Sequence, residues 1–89
     1  MRYIDIIKAN LGGELGRRGL TRPKAAAGIG IRPSTLHAKL NGDRRITLEE
    51  LLALAAWLEI PVSKLLEGLD DADELKPDDE EAPKAVTPA

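Results

Sequence analysis

The stretch from Leu20 to Gly42, LTRPKAAAGIGIRPSTLHAKLNG, decides the fold of this 89-residue chain. Thr21 is a good N-cap, because its hydroxyl accepts from backbone N–H groups that a first helical turn leaves without partners. Pro23 inside that turn gives up no intrahelical hydrogen bond. A helix is therefore expected from Arg22 to about Gly28. Its Ala25-Ala26-Ala27 run carries no bulky side chain, which lets a neighbouring helix approach closely. Gly30 suits a turn residue with positive φ, and Ile31 after it reads as a buried pin. Pro33 fits the first position of another helix, running to about Leu40, although Arg32 before it is a poor N-cap. Leu36 and Leu40, one turn apart, mark an inward face and leave Ser34, Thr35, His37 and Ala38 on or near the outward one.

The flanks extend the helical pattern. Ile4, Ile7, Leu11 and Leu15 form the apolar stripe of a first helix from Tyr3 to Arg18. Gly12 and Gly13 each weaken it by about 1 kcal/mol relative to alanine, so packing must hold it, and Gly19 supplies a left-handed stop. Beyond Leu40, Asn41-Gly42-Asp43 signals a turn, followed by a basic loop through Arg44 and Arg45. Thr47 and Glu50 stand in the T-x-x-E relation of a capping box before an apolar run. The helix they open, Leu48 to Leu58, presents Leu48, Leu51, Leu52, Leu54, Ala55 and Leu58 as a broad buried face. Ile60-Pro61 breaks it, and Pro61 or Val62 opens a short fifth helix through Leu65 and Leu66 that stops at Gly68. Past Leu69 the acids and prolines have the composition of a disordered tail. The expected organisation is one folded unit over 1–69 and a tail over 70–89.

Composition narrows the function classes. Hydrophobic residues make up 43% of the chain, yet Tyr3 and Trp57 are its only aromatics, so the core must be aliphatic, as suits an all-α bundle. There is no cysteine and His37 is the only histidine, which removes thiolate and most zinc sites and most acid–base constellations. No metal site, cofactor or catalytic role is expected. No apolar run approaches the roughly 18 residues of a membrane span and no secretory signal opens the chain, so the expected location is the cytoplasm. The net charge of −2 conceals a division. Residues 70–89 hold eight acids against two bases, whereas Arg17 to Arg45 holds eight bases against Asp43 alone. Screening confines surface electrostatics to about 8 Å, so that basic stretch can attract a polyanion despite the acidic total.

Leu20-Thr21, Ala26, Gly30-Ile31, Ser34-Thr35-Leu36, Asn41-Gly42, Leu51, Leu54-Ala55, Leu58, Ile60 and Leu65-Leu66 together resemble the Cro/C1-type, phage-repressor-like helix-turn-helix family. With the first helix included, the likeness spans about three-quarters of the chain. It implies a compact five-helix bundle with a central helix-turn-helix whose third helix enters the DNA major groove. Carried onto this chain, it implies base contacts by Arg32, Ser34, Thr35, His37 and Ala38. Phosphate contacts are expected from Arg22, Lys24, Pro33, Lys39, Asn41, Arg44 and Arg45. Arg32 offers a fork for guanine, or touches phosphate only; Thr35 and Ala38 offer methyl groups for thymine. Arg22 stands where the family usually has glutamine, Ala25 where it usually has leucine, and Lys39 where an apolar residue is common.

The implied function is a sequence-specific, double-stranded DNA-binding transcriptional regulator, a phage or bacterial repressor acting as a homodimer on two half-sites. Several residues keep two readings. His37 is either a plain exposed helix residue or a DNA contact. Trp57 is either a core edge against the first or fifth helix or a dimer contact. The acidic tail is either a solubilising extension or a competitor for the basic face. A rival for the whole chain is an antitoxin or protein-interaction adaptor, in which the tail folds on a partner. Leu75 and Val86 are the only large apolar anchors in residues 70–89, which weakens that rival.

Overall fold

In a computed structural model, which describes residues 2–72, the chain is all-helical. Four α-helices follow one another: α1 (Tyr3–Arg17), α2 (Arg22–Gly28), α3 (Pro33–Asn41) and α4 (Leu48–Leu58). Two 3-10 turns, Val62–Lys64 and Leu69–Asp71, complete the described residues, which contain no strand. No described helix is long and apolar enough to cross a membrane.

The stops between helices are set by backbone chemistry. Gly19, Gly30, Gly42 and Gly68 all have positive φ, a region that costs an L side chain about 1–2 kcal/mol. At Gly30, with φ of 80°, this lets the chain reverse so that Ile31 N–H bonds back to the Ala26 carbonyl at 3.0 Å. Thr21 caps α2 by accepting from Lys24 N–H, and the Thr47–Glu50 capping box is formed in both directions. Arg32 gives α3 no side-chain cap.

The core lies where these helices meet. Ile4, Ile7, Leu11 and Leu15 of α1, Ala25 and Ala26 of α2, Leu36 and Leu40 of α3, and Leu51, Leu54, Ala55 and Leu58 of α4 are buried, with Leu65 closing the cluster. Helix α2 packs on α3 and α4, and α1 packs on α3. The small side chains at Ala25 and Ala26, both fully covered, make those approaches possible.

Two expectations need correction. The fifth helix is only the 3-10 turn Val62–Lys64. Asn10 of α1 reaches across and donates to the carbonyl oxygens of Leu65 and Glu67, both at 2.8 Å, so carbonyls that a longer helix would use internally are satisfied from outside. Leu48 and Leu52 are exposed at 62% and 46%, so the buried face of α4 is narrower than its leucine content implies. Trp57, half-buried, packs at the edge of the core and lies against Gly28 of α2: a Cβ on Gly28 would fall 2.6 Å from the indole Cδ1. Past Leu69, Ala72 is fully buried and its N–H bonds to the Leu69 carbonyl at 2.9 Å. The remainder of the expected tail, residues 73–89, lies outside the described residues.

Candidate nucleic-acid interface

Helix α3 is held from one side only. Leu36 and Leu40 are 1% and 0% exposed, while Arg32, Pro33, Ser34 and His37 are exposed and Thr35 and Ala38 half-buried. The outward surface of α3 therefore consists of short polar and small side chains on a helix that the core prevents from rolling. Five of the residues expected to touch bases or start the helix thus sit along one edge, with Ala38 flanking it.

At the C-terminal end of α3 the structure builds a polar chain that sequence reasoning missed. Lys8 of α1 donates from Nζ to Asn41 Oδ1 at 3.1 Å, and Asn41 Nδ2 lies 2.9 Å from His37 Nε2. Lysine can only donate, so the amide oxygen must face it and the NH2 group must face the imidazole. His37 Nε2 is then the acceptor, and in the neutral ring the hydrogen resides on Nδ1. This arrangement assigns the imidazole one tautomer and leaves Nδ1–H as its remaining donor. Lys8 sits 33 positions before Asn41, and no local spacing connects them.

The basic residues differ in what meets them. Lys39, expected on phosphate, has its Nζ 2.5 Å from Glu50 Oε2, with side chains 12% and 20% exposed. It ties α3 to α4 and does not extend into the open surface. Burial pushes the Glu50 carboxyl up, but the Lys39 ammonium and the Thr47 N–H outweigh this and hold it below the ordinary value. Asn41 likewise has its amide engaged by Lys8 and His37. Arg17 and Arg18 both turn to Glu14, at 2.5 and 2.6 Å. The hydrogen bond from Arg18 is the main cause of a lowered Glu14 pKa; burial opposes it, and Arg17 adds to it.

Arg22 opens α2 half-buried, and Lys24 beside it is exposed. Arg44 and Arg45 are exposed in the loop before α4, where they line one side of a cavity of about 320 Å³ with Arg2, Tyr3, Ile4 and Gly42. The structure brings these two arginines together with the start of α1, a neighbour not expected from the sequence. Among the described residues no group of His, Asp and Glu is placed to hold a metal ion. Among the described residues the outward edge of α3 is uncovered, with Arg22 and Lys24 in the helix before it and Arg44 and Arg45 in the loop after it. Comparison with protein-family models, with curated proteins and with solved structures finds no match to this chain.

Proposed function

We propose that the protein binds double-stranded DNA sequence-specifically, with α2, the Gly30 turn and α3 acting as a helix-turn-helix and α3 entering the major groove. One observation carries this reading: Leu36 and Leu40 anchor α3 while Arg32, Ser34 and His37 stay exposed on its other side. An outward helix edge of small and polar residues reaches base edges without steric obstruction. Arg32, Ser34, Thr35, His37 and Ala38 are assigned to bases. Arg22, Lys24, Pro33, Arg44 and Arg45 are assigned to the backbone, where each phosphate contact steepens the salt dependence by about 0.9 in log–log slope. Lys39 and Asn41 act behind this surface, the first by joining α3 to α4 and the second by orienting His37.

A single module of this size buries only about 600–1,000 Å² on DNA. The protein therefore acts as a homodimer on two half-sites about 34 Å apart, as a repressor that occupies promoter DNA in the cytoplasm. Selection of bound sequences from random duplex DNA with the full chain tests this, followed by salt titration on the recovered sequence and a scrambled one. The expected result is a motif with two related halves, bound about 10³-fold or more above the scrambled duplex. Equal binding of both would contradict the reading.

A further inference from the structure

The hydrogen-bond chain from Lys8 through Asn41 to His37 has a direction, and that direction is set at its far end. Lys8 Nζ lies 3.1 Å from Asn41 Oδ1, and Asn41 Nδ2 lies 2.9 Å from His37 Nε2. An ammonium has hydrogens and no lone pair, so Asn41 cannot turn its NH2 group toward Lys8 without setting donor against donor. The amide is held in one orientation, and its NH2 group needs a bare Nε2. Lys8 and Asn41 are half-buried whereas His37 is exposed, so the chain carries a constraint from the α1–α3 contact to the outward surface of α3. Every bond in it points outward.

The ring is left with one hydrogen-bonding group of one kind. With Nε2 accepting, the hydrogen of a neutral imidazole resides on Nδ1, and toward a ligand the side chain can only donate. Guanine, adenine and thymine each show an acceptor in the major groove, but cytosine shows only its amino donor. Nδ1–H against cytosine therefore sets donor against donor, the repulsive element from which specificity is built. Ser34 and Thr35 have hydroxyl groups that both donate and accept, so they do not make this distinction. The imidazole does, provided its hydrogen stays on Nδ1.

We propose that Lys8 is a positioning residue for base reading: acting through Asn41, it keeps His37 a donor at Nδ1 and so makes α3 reject cytosine at the base His37 meets. This role rests on the duplex reading above. It gives a residue of α1 a part in sequence choice without a contact to DNA.

Two readouts on the full chain test it. The first is the pair of imidazole nitrogen resonances without DNA, at about pH 8, where an ordinary imidazole is neutral. His37 is the only histidine, so the signals have one source. The Nδ1–H form is expected in the parent and in Lys8→Arg, whose guanidinium also only donates, and a mixture of tautomers in Lys8→Met. Lys8→Glu reverses the chain, because a carboxylate accepts from Asn41 Nδ2 and turns Oδ1 to the ring, so the hydrogen is expected on Nε2. The second readout is duplex selection, taken at the position that His37→Ala identifies. There the parent and Lys8→Arg should disfavour cytosine about fivefold or more, the lower end of what a well-made base contact discriminates. Lys8→Met should bring that preference to within about twofold. An imidazole that keeps its Nδ1–H form in Lys8→Met and Lys8→Glu would overturn the role of Lys8, as would cytosine rejection that Lys8→Met leaves unchanged. No motif from the parent would overturn the duplex reading and this role together, whereas a parent motif with unchanged spectra in the variants would overturn this role alone.

Discussion

The two faces of α3 are made from the same nine residues but answer to different physics. The inward face sets Leu36 and Leu40 in the core and attaches Lys39 to Glu50. The outward face offers Ser34 and His37, with no larger side chain between them, to whatever approaches. One face is fixed by burial and one ion pair, so the other can remain open and still hold its shape. Substitutions on the inward face should therefore change stability first. Substitutions on the outward face should change binding and little else.

The largest effect belongs to the inward face. Leu40→Ala leaves a cavity at a position with 0% exposure and is expected to cost about 2–5 kcal/mol, read by urea unfolding. A cost below about 1 kcal/mol would mean that α3 is not anchored as described. Next is the contact that steadies α2 beneath it. Gly28→Ala drives a methyl group into Trp57, so about 1–3 kcal/mol should be lost and the indole fluorescence should shift to the red as the ring moves outward. Unchanged emission with unchanged stability would show that Trp57 does not lie on Gly28.

The third comparison sets a tied cation against an open one. Lys39→Met should lower stability by about 1 kcal/mol by leaving Glu50 without its ammonium partner. Arg45→Ala should stay within about 0.5 kcal/mol of the parent and act on DNA affinity instead. Glu14 and Glu50 both have folded pKa values below the ordinary 4.5, so the unfolded chain binds more protons in the interval between folded and unfolded values. Their contribution is full above the unfolded value and is lost as pH falls through the folded one. Unfolding measured at a series of pH values from about 6 to 3 should show stability falling, less steeply in Glu14→Gln than in the parent. An unchanged slope would remove Glu14 from the acid sensitivity. The smallest effect is a change of tautomer. Asn41→Ala removes the donor to His37 Nε2, and the imidazole nitrogen resonances should move from a single Nδ1–H form toward a mixture while stability changes little.

These same contrasts explain what could be read from the residues alone. Periodicity located the α1 stripe and the inward leucines of α3, because a 3.6-residue repeat directly encodes one helical face. The glycine stops and the Thr47–Glu50 box were legible for a similar reason: their chemistry is complete within four residues. Periodicity does not set the width of a face. Leu48 and Leu52 share the pattern of their neighbours on α4, but none of the described elements covers them. A fifth helix was expected from Val62, Leu65 and Leu66, and the limit on it came from Asn10, more than fifty positions away. Of the candidate interface, the outward residues of α3 were readable from their spacing to Leu36 and Leu40. The fate of each cation was not, because Glu50 and Lys8 become neighbours of α3 only when the bundle closes. A run of eight bases gives a total charge, whereas partners decide which charges remain outward.

The central claim is that the outward edge of α3 reads sequence while its inward edge only holds it in place. Repeating the duplex selection with Arg32→Ala and His37→Ala, each in the full chain, tests this most directly. The account predicts that each variant keeps the overall motif and loses preference at one position per half-site, worth about 1–3 kcal/mol there. A motif unchanged at every position in both variants would contradict it.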